Sequence, residues 1–335
     1  MTRAAVIGAG GWGTALANLL AKKGMETVVW SYEAEVAESI ERDHVNARYL
    51  DGVHLDPSLR ATTEMAEALK GASLVLSVSP SHVVRAVMAR AAPHVEPGAL
   101  VVSASKGIEN ESLKTMDEVL ADVLPEGTAR SATYLSGPSF ALEVALEHPT
   151  AVTIASHSRE AAQRAQEAFQ TGYFRVYTSP DVCGVELGGA LKNVIAIAAG
   201  ISDGLEFGNN TRAALITRGL AEITRLGIAL GADPRTFAGL AGMGDLILTC
   251  TGALSRNRSV GVELGKGRSI EEILGGMVAV AEGVRTAKSA HDLAARLDVE
   301  MPIVDAVHAI LFEGLDAKSA VQGLMLREPK AETWG

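Results

Sequence analysis

Apolar residues in the first half of the chain come in short continuous runs, separated by stretches where they recur every three or four positions. The runs at 3–8, 26–30, 73–78, 99–104, 133–136, 150–156 and 174–178 read as strands. Between them, 13–23, 33–43, 81–92, 112–123 and 158–171 read as amphipathic helices. Such alternation predicts a mostly parallel, doubly wound sheet: an α/β, Rossmann-like domain over 1–184. From 185 to 335 the strand pattern almost vanishes, and apolar positions at helical spacing through 186–202, 209–230, 281–298 and 302–312 predict an all-helical second domain. Ser269 followed by Glu272 reads as a capping box, and Asp316 as the N-cap of the last helix. Two glycine-rich stretches, Gly200 to Asn210 and Gly239 to Gly252, are expected as loops facing the first domain. The polar tail from Arg327 to Gly335 is expected to fray.

The first apolar run ends in glycines spaced G-x-G-x-x-G, at Gly8, Gly10 and Gly13, with Gly11 and Trp12 between them. A strand precedes this motif, while the run Leu16, Leu19, Leu20 and a second strand follow it, which is the context a dinucleotide grip requires. One glycine allows the tight turn, the next lets backbone approach a pyrophosphate, and the third lets the helix pack close. The competing reading is an ordinary glycine-rich turn between strand and helix. A doubly wound sheet binds its ligand at the carboxyl ends of its strands, which here carry Ser79-Pro80-Ser81, Ser105-Lys106-Gly107 and Ser136-Gly137-Pro138-Ser139. Lys106 is therefore expected near the cofactor.

Composition narrows the partners. With 335 residues and 47% hydrophobic content the chain can build two cores. A formal charge of −10 argues against general affinity for nucleic acid or an anionic membrane surface, yet leaves room for a small anionic substrate. Neither a secretory leader nor a run of about 18 uncharged apolar residues is evident, so no membrane span is expected. Cys183 and Cys250 stand far apart outside any C-x-x-C pattern, and the eight histidines show no ligand spacing, so a reducing cytoplasm and no metal are expected.

Three further segments carry candidate chemistry. On a helix, Lys192 has Gly188, Gly189 and Ala196 as its neighbours, a strip nearly free of side chains that something else must approach. Either another helix packs there and the lysine snorkels outward, or the lysine is held beside a ligand, where desolvation and a second cation depress its pKa. Asp245 follows a glycine turn and, taken alone, reads more readily as a helix N-cap than as a catalytic group. Ser255-Arg256-Asn257-Arg258 is a polar patch whose plain reading is a solvated helix start.

Together these segments resemble the bacterial NAD(P)-dependent glycerol-3-phosphate dehydrogenases along essentially the whole chain. The resemblance rests on G-A-G-G-W-G-T-A at 8–15, P-S-H at 80–82, S-K-G-I-E at 105–109, S-G-P-S-F-A at 136–141, G-V-E-L-G-G-A-L-K-N-V-I-A at 184–196, G-D-L-I-L-T-C-T at 244–251 and S-R-N-R at 255–258. It implies reversible reduction of dihydroxyacetone phosphate by NADH or NADPH to sn-glycerol 3-phosphate, for glycerophospholipid synthesis. It further implies Lys192 as general acid/base, with Lys106, Gly137, Ser139, Lys192, Asp245, Ser255, Arg256 and Asn257 around the substrate. Gly11, Trp12, Tyr32, Lys106, Ala141, Arg256, Val280 and Glu282 would contact the cofactor, beside Gly8, Gly10 and Gly13. After the second strand, Ser31 leaves room for a 2′-phosphate while Glu33 could bond a free ribose, so both nucleotides are expected with a lean to NADPH. Apolar helices of the second domain could form a homodimer interface or simply its core. Two rivals remain: a β-hydroxyacid or ketopantoate-type dehydrogenase, which needs no substrate phosphate, and a nucleotide-binding regulator without turnover.

Overall fold

The structure, a computed structural model, describes residues 2–276, 281–329 and 331–332. Val280 and part of the polar tail, Lys330 and 333–335, lie outside the described residues. Eight strands form one sheet: β1 (Arg3–Ile7), β2 (Glu26–Trp30), β3 (Arg60–Thr62), β4 (Leu74–Ser77), β5 (Leu100–Ser103), β6 (Thr133–Ser136), β7 (Thr150–Ala155) and β8 (Phe174–Ser179). Their order is β3-β2-β1-β4-β5-β6-β7-β8, parallel throughout except where β6 meets β7. Ile7 lies opposite Trp30 on one side and Ser77 on the other, so the chain changes direction across the sheet at β1. That topological switch opens a crevice at the strands' carboxyl ends.

The continuous apolar runs follow from burial on both faces. Ala4 and Val6 pack in one layer with Leu16, Leu20 and Phe169, while Ala5 and Ile7 pack in the other with Met88, Val101 and Leu120. The seven predicted strands appear within a residue or two of their expected bounds. The additional one, β3, is a three-residue edge strand with a single apolar residue, too short for a pattern.

The rest of the fold is helical and built around Val182–Gly204, whose start is capped by the Asp181 carboxylate accepting from Gly184 N (2.9 Å). The boundary expected after residue 184 falls in the first turn of this helix. By length and mean hydropathy it is long and apolar enough to cross a membrane, contrary to the expectation that no segment qualifies, but most of it is buried inside the molecule. Its core partners include Ile223, Leu226, Phe237, Leu246, Val260, Leu293 and Val304. A helix that is apolar nearly all round is stable in water only when its neighbours wrap it.

Both glycine-rich stretches depart from the loops expected there. The central helix runs through Gly200 to Gly204, so that only Leu205 to Gly208 form a loop before the following helix, Asn209–Ala229. The second stretch is a wide π-type turn, Leu240–Gly244, leading into the helix Asp245–Thr251. The reason is packing. A Cβ on Gly200 would run into the carbonyl of Arg258, and one on Gly261 into that of Ile197, so Val182–Gly204 and Arg256–Gly265 cross backbone to backbone. Asp203 locks this crossing with an ion pair to Arg258 (2.7 Å) and ties the helix Asn209–Ala229 to it through Arg212 (2.5 Å).

Candidate active site

The glycine motif forms the turn from β1 into the helix Gly11–Lys22. Gly8 has φ +124°, a conformation costly for any residue with a side chain, and sits against the Val78 backbone at the end of β4. Gly13 lies so close to the Gly8 carbonyl that no Cβ would fit, whereas the space beside Gly10 is open. Gly11 packs against the Tyr49 carbonyl and near Ala141, and the Trp12 indole N–H, buried, has no hydrogen-bond partner among the described residues. First-turn N–H groups of a helix lack partners within the helix and favour anions. An open gap at Gly10, that helix end and the unspent indole donor fit a dinucleotide pyrophosphate.

Farther along the crevice, Ser81 after β4 meets Glu282 at the start of the helix Glu282–Arg296. The Ser81 hydroxyl donates to one carboxylate oxygen (2.5 Å) and its backbone N–H to the other (3.4 Å). Burial raises the Glu282 pKa, while these bonds and Arg256 and Arg285 act against it.

The centre of the cleft is a chain of two lysines and one aspartate. Lys192 is 7% exposed and Asp245 1%. Lys192 Nζ lies 2.9 Å from Asp245 Oδ1 and donates to Thr249 Oγ1 at 2.8 Å. Lys106, at the carboxyl end of β5, reaches the other oxygen, Asp245 Oδ2, at 2.7 Å and the Gly137 carbonyl at 3.3 Å. Burial drives the Lys192 pKa down and the Lys106 charge adds to that, Asp245 opposes both, and the balance falls at about 8. Burial also works against ionisation of Asp245, yet the two ammonium groups hold its pKa below the ordinary value. An ammonium that releases its proton near neutral pH can stabilise and protonate an oxyanion formed beside it.

The strip of small residues around Lys192 is approached by protein, the packing alternative of the two readings. Gly188 faces the Ala241 backbone, and Gly189 faces the Ser136 hydroxyl and the Lys106 methylenes. Yet the lysine does not snorkel to solvent: the tight approach seats it against Asp245. That aspartate is the first residue of its helix, after a Gly244 cap, and its side chain serves the lysines instead of capping N–H groups.

Of the other candidates, Ser139 donates to the Gly137 carbonyl (2.9 Å), and Ser255 caps its helix by accepting from Arg258 N (3.2 Å). Asn257 is spent within the protein: its amide donates to Asn193 Oδ1 (2.9 Å) and its oxygen accepts from Gly283 N (2.9 Å). Arg256 faces the charge of Glu282 and donates no hydrogen bond among the described residues. Tyr32 is 80% exposed. Ser31, expected to leave room in the crevice, is fully buried and donates to the Glu33 carbonyl (2.9 Å). Ser81 stands at a strand end where the ligand is expected; Thr249 and Asn193 carry no pattern of their own, although Thr249 follows Asp245 by one helical turn and so shares its face.

Residues 3–162 match the family model described as NAD-dependent glycerol-3-phosphate dehydrogenase N-terminus, and 181–322 the one described as its C-terminus. A protein of Citrifermentans bemidjiense named glycerol-3-phosphate dehydrogenase [NAD(P)+] is 58% identical over 328 residues, 98% of each chain. One of the same name from Myxococcus xanthus is 54% identical over 99% of each. The crystal structure of glycerol-3-phosphate dehydrogenase from Coxiella burnetii superposes with a TM-score of 0.92 at 40% identity, covering 97% of this chain and 99% of that one. A ketopantoate reductase of Ralstonia eutropha, at 19% identity and a TM-score of 0.57, shares the fold alone.

Proposed function

The chain belongs to the NAD-dependent glycerol-3-phosphate dehydrogenase family, and from that premise we propose that it reduces dihydroxyacetone phosphate reversibly to sn-glycerol 3-phosphate, feeding glycerophospholipid synthesis. The observation that carries this reading is the Lys106–Asp245–Lys192 chain at the mouth of a dinucleotide cradle. When bound, the nicotinamide supplies a hydride to the ketone carbon. Lys192 stabilises the negative charge that develops on the carbonyl oxygen and donates the proton that completes the alcohol. Asp245 holds both lysines in place and keeps Lys192 charged despite its burial. Lys106 adds a second positive charge beside the substrate.

Arg256 takes the substrate phosphate with a planar pair of donors, helped by the N-terminus of Arg256–Gly265. The Asn257 side chain, already committed to Asn193 and Gly283, acts by fixing that helix start to the central helix. Gly137, Ser139 and Ser255 shape the remaining wall, while Gly8, Gly10, Gly11, Trp12, Gly13, Ala141 and Glu282 hold the nucleotide. Both NADH and NADPH serve, with NADPH preferred, and the free thiols of Cys183 and Cys250 support a cytoplasmic setting.

The test is oxidation of NADPH and NADH with dihydroxyacetone phosphate, dihydroxyacetone and a 2-keto acid side by side. Fast turnover is expected with the phosphate ester alone. Preference for the keto acid would favour the β-hydroxyacid rival, and nucleotide binding without turnover of any ketone would favour a regulator.

A further inference from the structure

At the carboxyl end of β2, where a doubly wound fold reads the ribose of its dinucleotide, two carboxylates and one guanidinium stand together. Glu33 accepts from the Tyr49 hydroxyl (2.7 Å), and Glu35 is ion-paired to Arg48. The Arg48 guanidinium lies over the Tyr49 ring, 5.4 Å from its centroid, and its side chain is 42% exposed. The segment is anchored to the nucleotide cradle. Asn46, 1% exposed, donates to the Ala9 carbonyl and to Thr14 Oγ1 (both 2.8 Å) and accepts from Tyr49 N (3.2 Å). The Tyr49 carbonyl in turn packs on Gly11. Arg48 is thus held by a pinned loop between the glycine turn and the end of β2, and Ser31, the first residue after β2, is buried and faces inward.

We propose that Arg48 is the cation that admits the 2′-phosphate of NADPH, and so sets the choice between the two nucleotides. This rests on the dehydrogenase reading given above. With Arg48 present, one of the two carboxylates is neutralised and an exposed guanidinium remains to share with a phosphate dianion. Without it the corner presents two anions to a third. A free ribose carries no such charge and feels little of the change.

The proposal is tested with Arg48→Gln and Arg48→Lys by calorimetric titration of NADPH, NADH, 2′,5′-ADP and 5′-AMP in the absence of substrate, and by kcat/KM for each reduced nucleotide. Arg48→Gln is expected to weaken NADPH and 2′,5′-ADP by about tenfold to a hundredfold, the value of one charge-assisted contact, and NADH and 5′-AMP by less than about twofold. Arg48→Lys, which keeps the charge and loses the fork and the stacking, should fall between. Equal weakening of phosphorylated and unphosphorylated ligands, or unchanged NADPH binding, overturns the assignment, as does a wild type that does not bind NADPH. Should Arg48→Gln not fold, a Lys variant without selective loss toward NADPH overturns it equally. Wild-type binding of both nucleotides without turnover of dihydroxyacetone phosphate would instead overturn the dehydrogenase reading, leaving the binding comparison intact.

Discussion

Replacing Asp245 by Asn removes the one charge shared by Lys106 and Lys192 while nearly preserving shape. In the native protein Lys192 titrates at about 8, so it is mostly ammonium at pH 7. A neighbouring opposite charge shifts a pKa by about 1–3, so losing Asp245 should take Lys192 from about 8 to about 6. The protonated fraction then drops about tenfold at pH 7 and about fiftyfold at pH 8, and the Lys106 charge, no longer bridged, pushes in the same direction.

The assay is kcat/KM for dihydroxyacetone phosphate reduction from pH 5.5 to 9 on both proteins, with thermal midpoints measured in the same buffers. The deficit of Asp245→Asn should be large at pH 8 and shrink steadily toward pH 5.5, where the variant's lysine regains its proton. Because breaking a buried ion pair costs about 3–5 kcal/mol of stability, the midpoints separate lost folding from lost protonation. A folded variant whose deficit is the same at every pH would refute the reasoning, and would leave Asp245 as a substrate contact or a structural group.

Arg256→Lys keeps a positive charge but not the guanidinium fork, and is expected to depress kcat/KM with dihydroxyacetone phosphate while barely changing the poor reaction with dihydroxyacetone; equal losses on both substrates would remove Arg256 from the phosphate site. Glu222, 3% exposed, accepts from Ile303 N (2.8 Å) and Val304 N (3.2 Å), and burial raises its pKa to about 7. A carboxyl raised above its unfolded value contributes stability that is present below the unfolded pKa and lost as pH rises through about 7. Glu222→Gln should therefore gain on the wild type by about 3 kcal/mol between pH 4 and 8 in denaturant titrations, and a pH-independent difference would refute this.

Much of the nucleotide-binding half was legible because its strands are buried on both faces and so appear as unbroken apolar runs, such as Ala4–Ile7 and Leu74–Leu76. Edge strand β3 escaped because Arg60 and Thr62 leave Ala61 alone to carry the pattern. Glycine was the harder signal, since it has two meanings in one alphabet. At Gly8 it marks a turn that sequence context identifies, a strand before and a helix after. At Gly200 and Gly261 it marks the contact of two helices, and only a partner distant in sequence distinguishes that from a helix break.

The same ambiguity governs the catalytic centre. A lysine beside Gly188 and Gly189 announces that something comes close, but the pattern does not distinguish ligand from protein. The Ala241 backbone fills the approach to Gly188, and Ser136 and the Lys106 methylenes fill the approach to Gly189. Those contacts exclude water from the lysine and bring Lys106 within reach of the same carboxylate. Hence the depressed pKa of Lys192 belongs to no segment of sequence. It arises where the carboxyl end of β5, the central helix and the helix that follows a glycine turn meet, and any substitution that loosens that meeting should return the lysine toward its ordinary basicity and cost turnover without touching a reacting atom.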